Sequence, residues 1–331
     1  MKQVFLRGAL ATALLVLASC SRPSADFTIA LGGDIMLSRQ GKAIFTSQTE
    51  TINPWVELQN QGILISADSD ISDFFFANLE SPLGEINSTS TDMNLCSDPE
   101  EVRVLVEGGV DLVSLANNHR DDCSLNGVET TQSYLEPQNI ASVVMANDPT
   151  YLDTPNGKMA VIAAEDVTSS MDTTALLSSI KSASEKASIV VVAMHWGNEY
   201  QAGADDHQQK LAQQIADAGA DVIWGHHPHV LQKMEWLGSA DGRQVLVVYS
   251  LGNLLADQWM LEDAQQSTLV RLSFKNSEIN GIEIIPLVMD RASKSLQLAP
   301  TNDTRDKIIE RLGVDGLSSG SVVIRVLPTE K

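Results

Sequence analysis

Six short apolar runs, each ending in carboxylate, amide or imidazole side chains, constrain this chain more than any other feature. They occupy residues 27–31, 74–77, 110–115, 189–194, 221–224 and 245–249. Continuous apolar runs of this length suit strands covered on both faces. Helical patterns separate several of them. Asp98-Pro99-Glu100-Glu101 reads as a capped helix start with proline in its first turn. Val102, Leu105 and Val106 continue it as an apolar stripe, and Gly108-Gly109 stops it. A second helix is expected over residues 205–218, with Leu211, Ile215 and Ala218 inward and Gly219 as its end. Runs at 269–274, 282–287 and 322–326 read as antiparallel strands that finish the sheet. Strands alternating with helices predict a layered α/β domain, and no linker divides it.

The 331 residues are 43% hydrophobic, enough for one sizeable core. Asp and Glu outnumber Lys and Arg by 43 to 22, which gives a formal charge of −21. Nucleic-acid binding depends on clustered cations that displace counterions, so this balance argues against it. The same field opposes adhesion to an anionic membrane surface. A polyanionic substrate would need a local cation, such as a metal ion.

At the N-terminus, Lys2 and Arg7 precede a short apolar run over residues 8–17. A bilayer-spanning helix needs about 20 apolar residues, so residues 1–19 read as a signal peptide. Leu17-Ala18-Ser19-Cys20 resembles the lipobox of bacterial lipoproteins, which makes Cys20 the lipidated first residue of the mature chain. An ordinary signal peptide with a chance cysteine is the plainer alternative. Residues 20–26 then form the lipidated cysteine and a tether, and residues 27–331 a single domain. The expectation is an exported cell-envelope lipoprotein that meets membrane through its lipid anchor only. Ser21 in place of an Asp favours the outer membrane, or the periplasmic face, in a Gram-negative cell.

Cys96 and Cys123 remain as an even pair in an oxidising compartment, either bridged or as two separate buried thiols. If the helix begun at Pro99 packs back on the strand of residues 110–115, its start lies near the loop that carries Cys123. That placement favours the bridge.

The polar tails share one chemistry. They are Gly32-Gly33-Asp34, Asn78-Leu79-Glu80, Asn117-Asn118-His119, His195 through Glu199-Tyr200, Gly225-His226-His227-Pro228-His229 and Ser250-Leu251-Gly252-Asn253. Five of the six histidines fall in them, His207 being the exception. Open α/β sheets place their ligand crevice at such strand ends. Imidazole, carboxylate and amide oxygen together suit one or two divalent Mn, Zn or Fe ions. Singly, each residue has a structural explanation: Asp34 can cap a turn, Glu80 can be a solvated carboxylate, and His195 can be a hydrogen-bonded core histidine. Jointly they point to a site.

These same segments resemble the CapA-type capsule-synthesis or poly-γ-glutamate biosynthesis proteins, a branch of the calcineurin-like metallophosphoesterase superfamily. The resemblance is carried by Gly33-Asp34-Ile35-Met36-Leu37, Asn78-Leu79-Glu80, Ser114 through His119, Asp122, Gly127, His195-Trp196-Gly197, Gly219-Ala220-Asp221, the tail from Gly225 to His229, and Tyr249 to Asn253. It implies a layered αββα sandwich. It also implies a metal set of Asp34, Glu80, Asn118, His195, His227 and His229 around two ions that activate water, with His119 as general acid. Asp122, three residues on in the same loop, is placed to orient the His119 ring through its Nδ1. Glu199, Tyr200, His226 and Asn253 are expected behind the ligands or facing substrate. Met36 stands where the superfamily's Asp-x-His has its histidine, so one ion would have a nitrogen donor fewer.

The function implied is an envelope-anchored, metal-dependent hydrolase acting on a phosphoester or γ-glutamyl substrate in the synthesis of an anionic polymer. Two other classes stand beside it. One is a non-catalytic lipoprotein that grips the polymer or polymer-synthesis partners, and it needs ligands but no general acid. The other is a fold with packed histidines and no metal.

Overall fold

The computed structural model describes residues 25–63, 74–86, 94–123, 126–168, 171–300, 303–317 and 322–326. Cys20 and the signal peptide lie outside them. Two sheets form the centre of the molecule. The first runs, in spatial order, Ser295–Leu298, Glu278–Asp290, Gln266–Lys275, Phe27–Ile35, Phe74–Leu79, Leu112–Ser114 and Ala141–Val143. The second runs Met234–Gly238, Gln244–Val248, Val222–His226, Ile189–His195, Gly157–Glu165 and Thr150–Thr154.

Side-chain alternation explains why the runs are continuously apolar. Ile29, Leu31, Val191, Ala193 and Trp224 meet between the two sheets. Their sequence neighbours face the other way. Ala30, Phe75 and Ala77 pack against Val104 and Leu105 of the helix Val102–Gly108. Val190, Val192 and Ile223 pack against Ile180 and Ile215 of the helices Thr173–Ser184 and Asp206–Ala218. The layers are therefore helix, sheet, sheet, helix. Each fully buried aliphatic or aromatic side chain contributes about 1.5–3 kcal/mol to holding them together.

The helix starts follow the sequence closely. Asp205 and Gln208 form a capping box, with Gln208 N donating to Asp205 Oδ1 at 2.8 Å and Asp205 N donating to Gln208 Oε1 at 3.0 Å. Asp98 accepts from Glu100 N at 2.9 Å, but the turn it opens, Pro99–Glu101, is 3-10 and becomes α-helical only from Val102.

One expectation needs correction, and one strand adds to those expected. Val323–Val326 pairs in parallel with Glu278–Asp290, not antiparallel. The helix Asp303–Leu312 intervenes, and a crossover of that length lets the chain re-enter the sheet in the same direction. The strand Gly157–Glu165 also forms, although its run carries Ala160, Ala163 and Ala164, and alanine is a weak strand former. Its partner Ile189–His195 supplies the context that overrides this.

The fold carries the polar tails to one place. Asp34 sits inside its strand, beyond a register shift, opposite Asn78 on one side and Asn253 on the other. His195 lies opposite His226 in the second sheet. After Val248 the chain leaves the second sheet, and Asn253–Leu255 joins the first. This crossing brings backbones into contact. A Cβ on Gly33 would lie 1.9 Å from Gly252 O, and one on Gly225 would lie 2.1 Å from Tyr249 O, so only glycine fits. Cys96 and Cys123 form a disulfide with their Cα atoms 4.8 Å apart. Among the described residues no helix is long and apolar enough to cross a membrane.

Candidate metal centre

Asp34 and Glu80, both fully buried, are the centre of the site. Asp34 Oδ1 accepts from Asn78 Nδ2 at 2.8 Å and lies 3.2 Å from His226 Nδ1. Asp34 Oδ2 lies 3.1 Å from His229 Nδ1. Glu80 Oε1 is 3.7 Å from His195 Nε2, and Glu80 Oε2 is 3.9 Å from His229 Nε2. His195 Nε2 in turn meets Asn118 Oδ1 at 2.7 Å. Donor atoms of Asp34, Glu80 and His195 all lie within 4.8 Å of one another, as do those of Glu199, His227 and His229.

Backbone strain supports the second group. His227 and His229 adopt φ of 94° and 58°, in the left-handed region that residues other than glycine rarely enter. Such strain persists only where the surroundings over-determine it, and it clusters at functional sites. Tyr200, with φ of 62°, shares the feature, and its ring centroid lies 6.0 Å from that of His229.

The electrostatics separate groups that are alike in type. Burial would raise Asp34, but His226 and His229 outweigh it and hold the carboxyl well below its ordinary range. Burial pushes Glu80 up to about 7 against the pull of His229. Burial and the His229 charge push His227 down to about 4, while burial and His227 hold His195 well below its usual value. Burial would lower His229 as well, but Glu80 and Asp34 overcome it and raise the ring to about 9. At neutral pH His195 and His227 are thus neutral beside an ionised Asp34, the protonation state that divalent ions need. His229 alone of the three holds a proton that an ion would displace.

Unpartnered atoms identify what the site fits. Glu80 Oε2 and His227 Nδ1 are buried without a hydrogen-bond partner. Buried polar atoms left this way are uncommon and call for an unseen partner. A buried lone pair on a carboxylate and another on a neutral imidazole suit a cation. The donor set of carboxylate, imidazole and amide oxygen therefore fits a divalent metal ion.

His119 stands beside this cluster. Its Nδ1 lies 2.9 Å from Asp122 Oδ2, and the same oxygen accepts from Leu95 N at 2.6 Å. Burial would lower the His119 ring, but Asp122 and Glu80 outweigh it and leave it above its ordinary value. A pocket of about 320 Å³ opens here, with His119, Glu199, Tyr200, His229, Arg39 and Trp259 among its lining residues.

The remaining positions fall in different places. His226 backs Asp34 from within the core, its ring edge-on to Trp224 at 4.4 Å. Asn253 is buried, and its Nδ2 donates to Gln258 Oε1 and Ala264 O, so it braces the segment that borders the pocket. Glu199 lies among the ligand atoms themselves. Met36 turns its sulfur to Arg39 Nη2 at 3.3 Å. Sequence analysis did not single out Asn78, which touches Asp34, Glu80 and His195 at once. Nor did it single out Asn117, which donates to Leu79 O at 2.8 Å and receives the His119 N–H at 3.1 Å. The available signal was their place directly beside candidate ligands in the polar tails.

Comparison with known proteins gives the family. Over 245 residues the chain is 29% identical to the PGA biosynthesis protein CapA of Bacillus subtilis (strain 168), covering 67% of this chain and 63% of that protein. Over 305 residues it is 28% identical to the capsule biosynthesis protein CapA of Bacillus anthracis, covering 82% of this chain and 70% of that protein. The match thus spans a little under two thirds of the Bacillus subtilis relative's length. A crystal structure of a hypothetical protein from Thermus thermophilus superposes with a TM-score of 0.49 and 18% identity, over 78% of this chain and 98% of that one. The model of the bacterial capsule synthesis protein PGA_cap matches residues 28–258, a segment holding every candidate ligand named above, and the chain belongs to that family.

Proposed function

We propose that this protein is a metal-dependent hydrolase of capsule or poly-γ-glutamate-type polymer synthesis, held at the cell envelope through a lipid on Cys20. One observation carries the reading: His119, held by Asp122, lines one pocket together with Glu199 and His229 of the second group of ligand atoms, and His229 in turn reaches Asp34 and Glu80 of the first. A binding protein needs the ligands but has no use for an oriented histidine beside them.

Asp34, Glu80, Asn118 and His195 would hold one ion, and Glu199, His227 and His229 would complete a second position. Divalent ions held there, Mn, Zn or Fe, would polarise a substrate oxyanion and acidify a water. The chain's own residues do the rest. Asn78 ties the two sheets together beneath the ligands, and His226 and His229 keep Asp34 ionised. Asp122 fixes the Nδ1 side of His119, leaving Nε2 to give a proton to the leaving group. The names of the Bacillus relatives support a capsule or PGA polymer as the context. Polymer-synthesis proteins of the envelope are the expected partners.

The test is metal analysis of the purified protein, followed by assays on a generic phosphoester and a γ-glutamyl peptide before and after chelation. Metal-dependent turnover of either supports the reading. Bound metal with no turnover on any such substrate favours the alternative, an assembly lipoprotein that grips the polymer.

A further inference from the structure

The pocket over the metal centre has a second, unassigned pole. Arg39 is the one arginine or lysine among its described lining residues. It comes from the short hairpin Ser38–Arg39 and Lys42–Ala43, just after the strand that carries Asp34. Its Nε donates to Asp257 Oδ1 at 2.7 Å, and its Nη2 rests on Met36 Sδ at 3.3 Å. Two contacts on different nitrogens fix the guanidinium plane, and its side chain keeps 26% of its surface exposed. Its charge is felt at Tyr200, which lines the same pocket. Burial and Glu199 push the Tyr200 phenol up, and Arg39 opposes them.

We propose that Arg39 is a specificity-determining residue that binds a substrate carboxylate set apart from the reacting group; this rests on the substrate pocket of the proposed function. The argument is one of charge. In a chain of net charge −21, an anionic ligand is repelled until it meets a fixed local cation. The metal centre supplies one such pole and Arg39 the other. Arg39 is partly neutralised by Asp257, so it matches a monoanion better than a dianionic phosphate, which calls for several cations. Guanidinium geometry also suits the planar carboxylate. Trp259, Met260 and Leu261 are apolar members of the pocket lining, Met260 being 93% exposed, a surface suited to a short methylene chain. The substrate class is therefore a flexible, carboxylate-bearing unit.

The test reads binding without turnover. Glutarate, a five-carbon dicarboxylate with no scissile bond, and its mono-amide, glutaramate, are titrated into the full chain supplied with Mn²⁺. The wild type is expected to prefer glutarate over glutaramate by roughly ten- to a hundredfold, the range of a hydrogen bond to a charged group. Arg39→Gln is expected to abolish that preference, and Arg39→Lys to restore part of it. A structural role would weaken both ligands equally, and that result overturns the proposal. So does a wild type that binds both ligands alike or neither. If hydrolysis assays fail while the Arg39-dependent preference stands, the catalytic reading falls and this one survives.

Discussion

Asn78 and His195 belong to different sheets, yet Asn78 Nδ2 lies 3.4 Å from His195 Nδ1. The same nitrogen donates to Asp34 Oδ1 at 2.8 Å and approaches Glu80 Oε1 at 3.4 Å. One amide therefore orients candidate ligands from both sheets. Removing it leaves buried acceptors unmatched, at about 1–3 kcal/mol. Asn78→Ala is expected to lower metal affinity about 10–100-fold, the usual effect of losing a residue that orients ligands. Competition with a chelator of known affinity measures it, and an unchanged affinity would remove Asn78 from the site.

The histidine pair makes a sharper demand. His227→Ala/His229→Ala is expected to purify with its metal content reduced, the second position being lost. Full occupancy in that double variant would sink the ligand assignment.

Metal uptake is also expected to release protons in a pH-dependent way. In the metal-free protein His229 titrates near 9, above its ordinary value of 6.5. Its protonated form therefore adds stability below pH 6.5, and that contribution is lost as pH rises through 9. An ion needs the neutral ring and the ionised carboxylate, so binding near pH 7 displaces the His229 proton and part of one from Glu80, which is pushed up to about 7, whereas binding at about pH 10 displaces little of either. Calorimetry in buffers of differing ionisation heat reads the proton count. Equal release at both pH values would contradict the assignment of His229.

His119→Asn and Asp122→Asn should leave metal content intact while reducing hydrolysis. A general acid is worth about 10²–10⁴-fold, and the Asp122 variant, which keeps the His119 ring but loosens its orientation and removes a charge that raises it, should lose less. Loss of metal from the His119 variant would make it a ligand instead.

The disulfide joins Cys96 to Cys123 across 27 residues, which corresponds to roughly 3–4 kcal/mol of loop-closure entropy removed from the unfolded chain. Each cysteine also neighbours a residue of the His119 support: Leu95 N donates to the Asp122 carboxylate. Cys96→Ala/Cys123→Ala should lower the urea midpoint and, separately, slow turnover. Unchanged stability would show that the loop is held by its other contacts, such as Ser38 Oγ donating to Leu95 O.

Cys20→Ser should move the protein from the membrane fraction to the soluble one. Sedimentation of that variant with membranes in high salt would rule out the lipid as the anchor.

The sequence by itself determined the strands, because a run such as residues 189–194 is apolar at both side-chain parities and only a doubly covered strand accommodates that. It also marked the chemistry, because His, Asp, Glu and Asn cost too much to bury at so many strand ends without a common partner. The cap at Asp98 was legible because the atoms that satisfy each other, Asp98 Oδ1 and Glu100 N, are only two residues apart. What lay beyond local reach was decided by the tertiary structure. The alanine-rich strand Gly157–Glu165 exists because Ile189–His195 pairs with it. Asn78 became the link between sheets only when Asp34, 44 residues before it, and His195, 117 residues after it, were packed against it. Arg39 acquired a fixed direction only from Asp257, 218 residues away. Side-chain type is written locally, but the field and contacts that give it a role are sums over neighbours that the chain brings together only by folding.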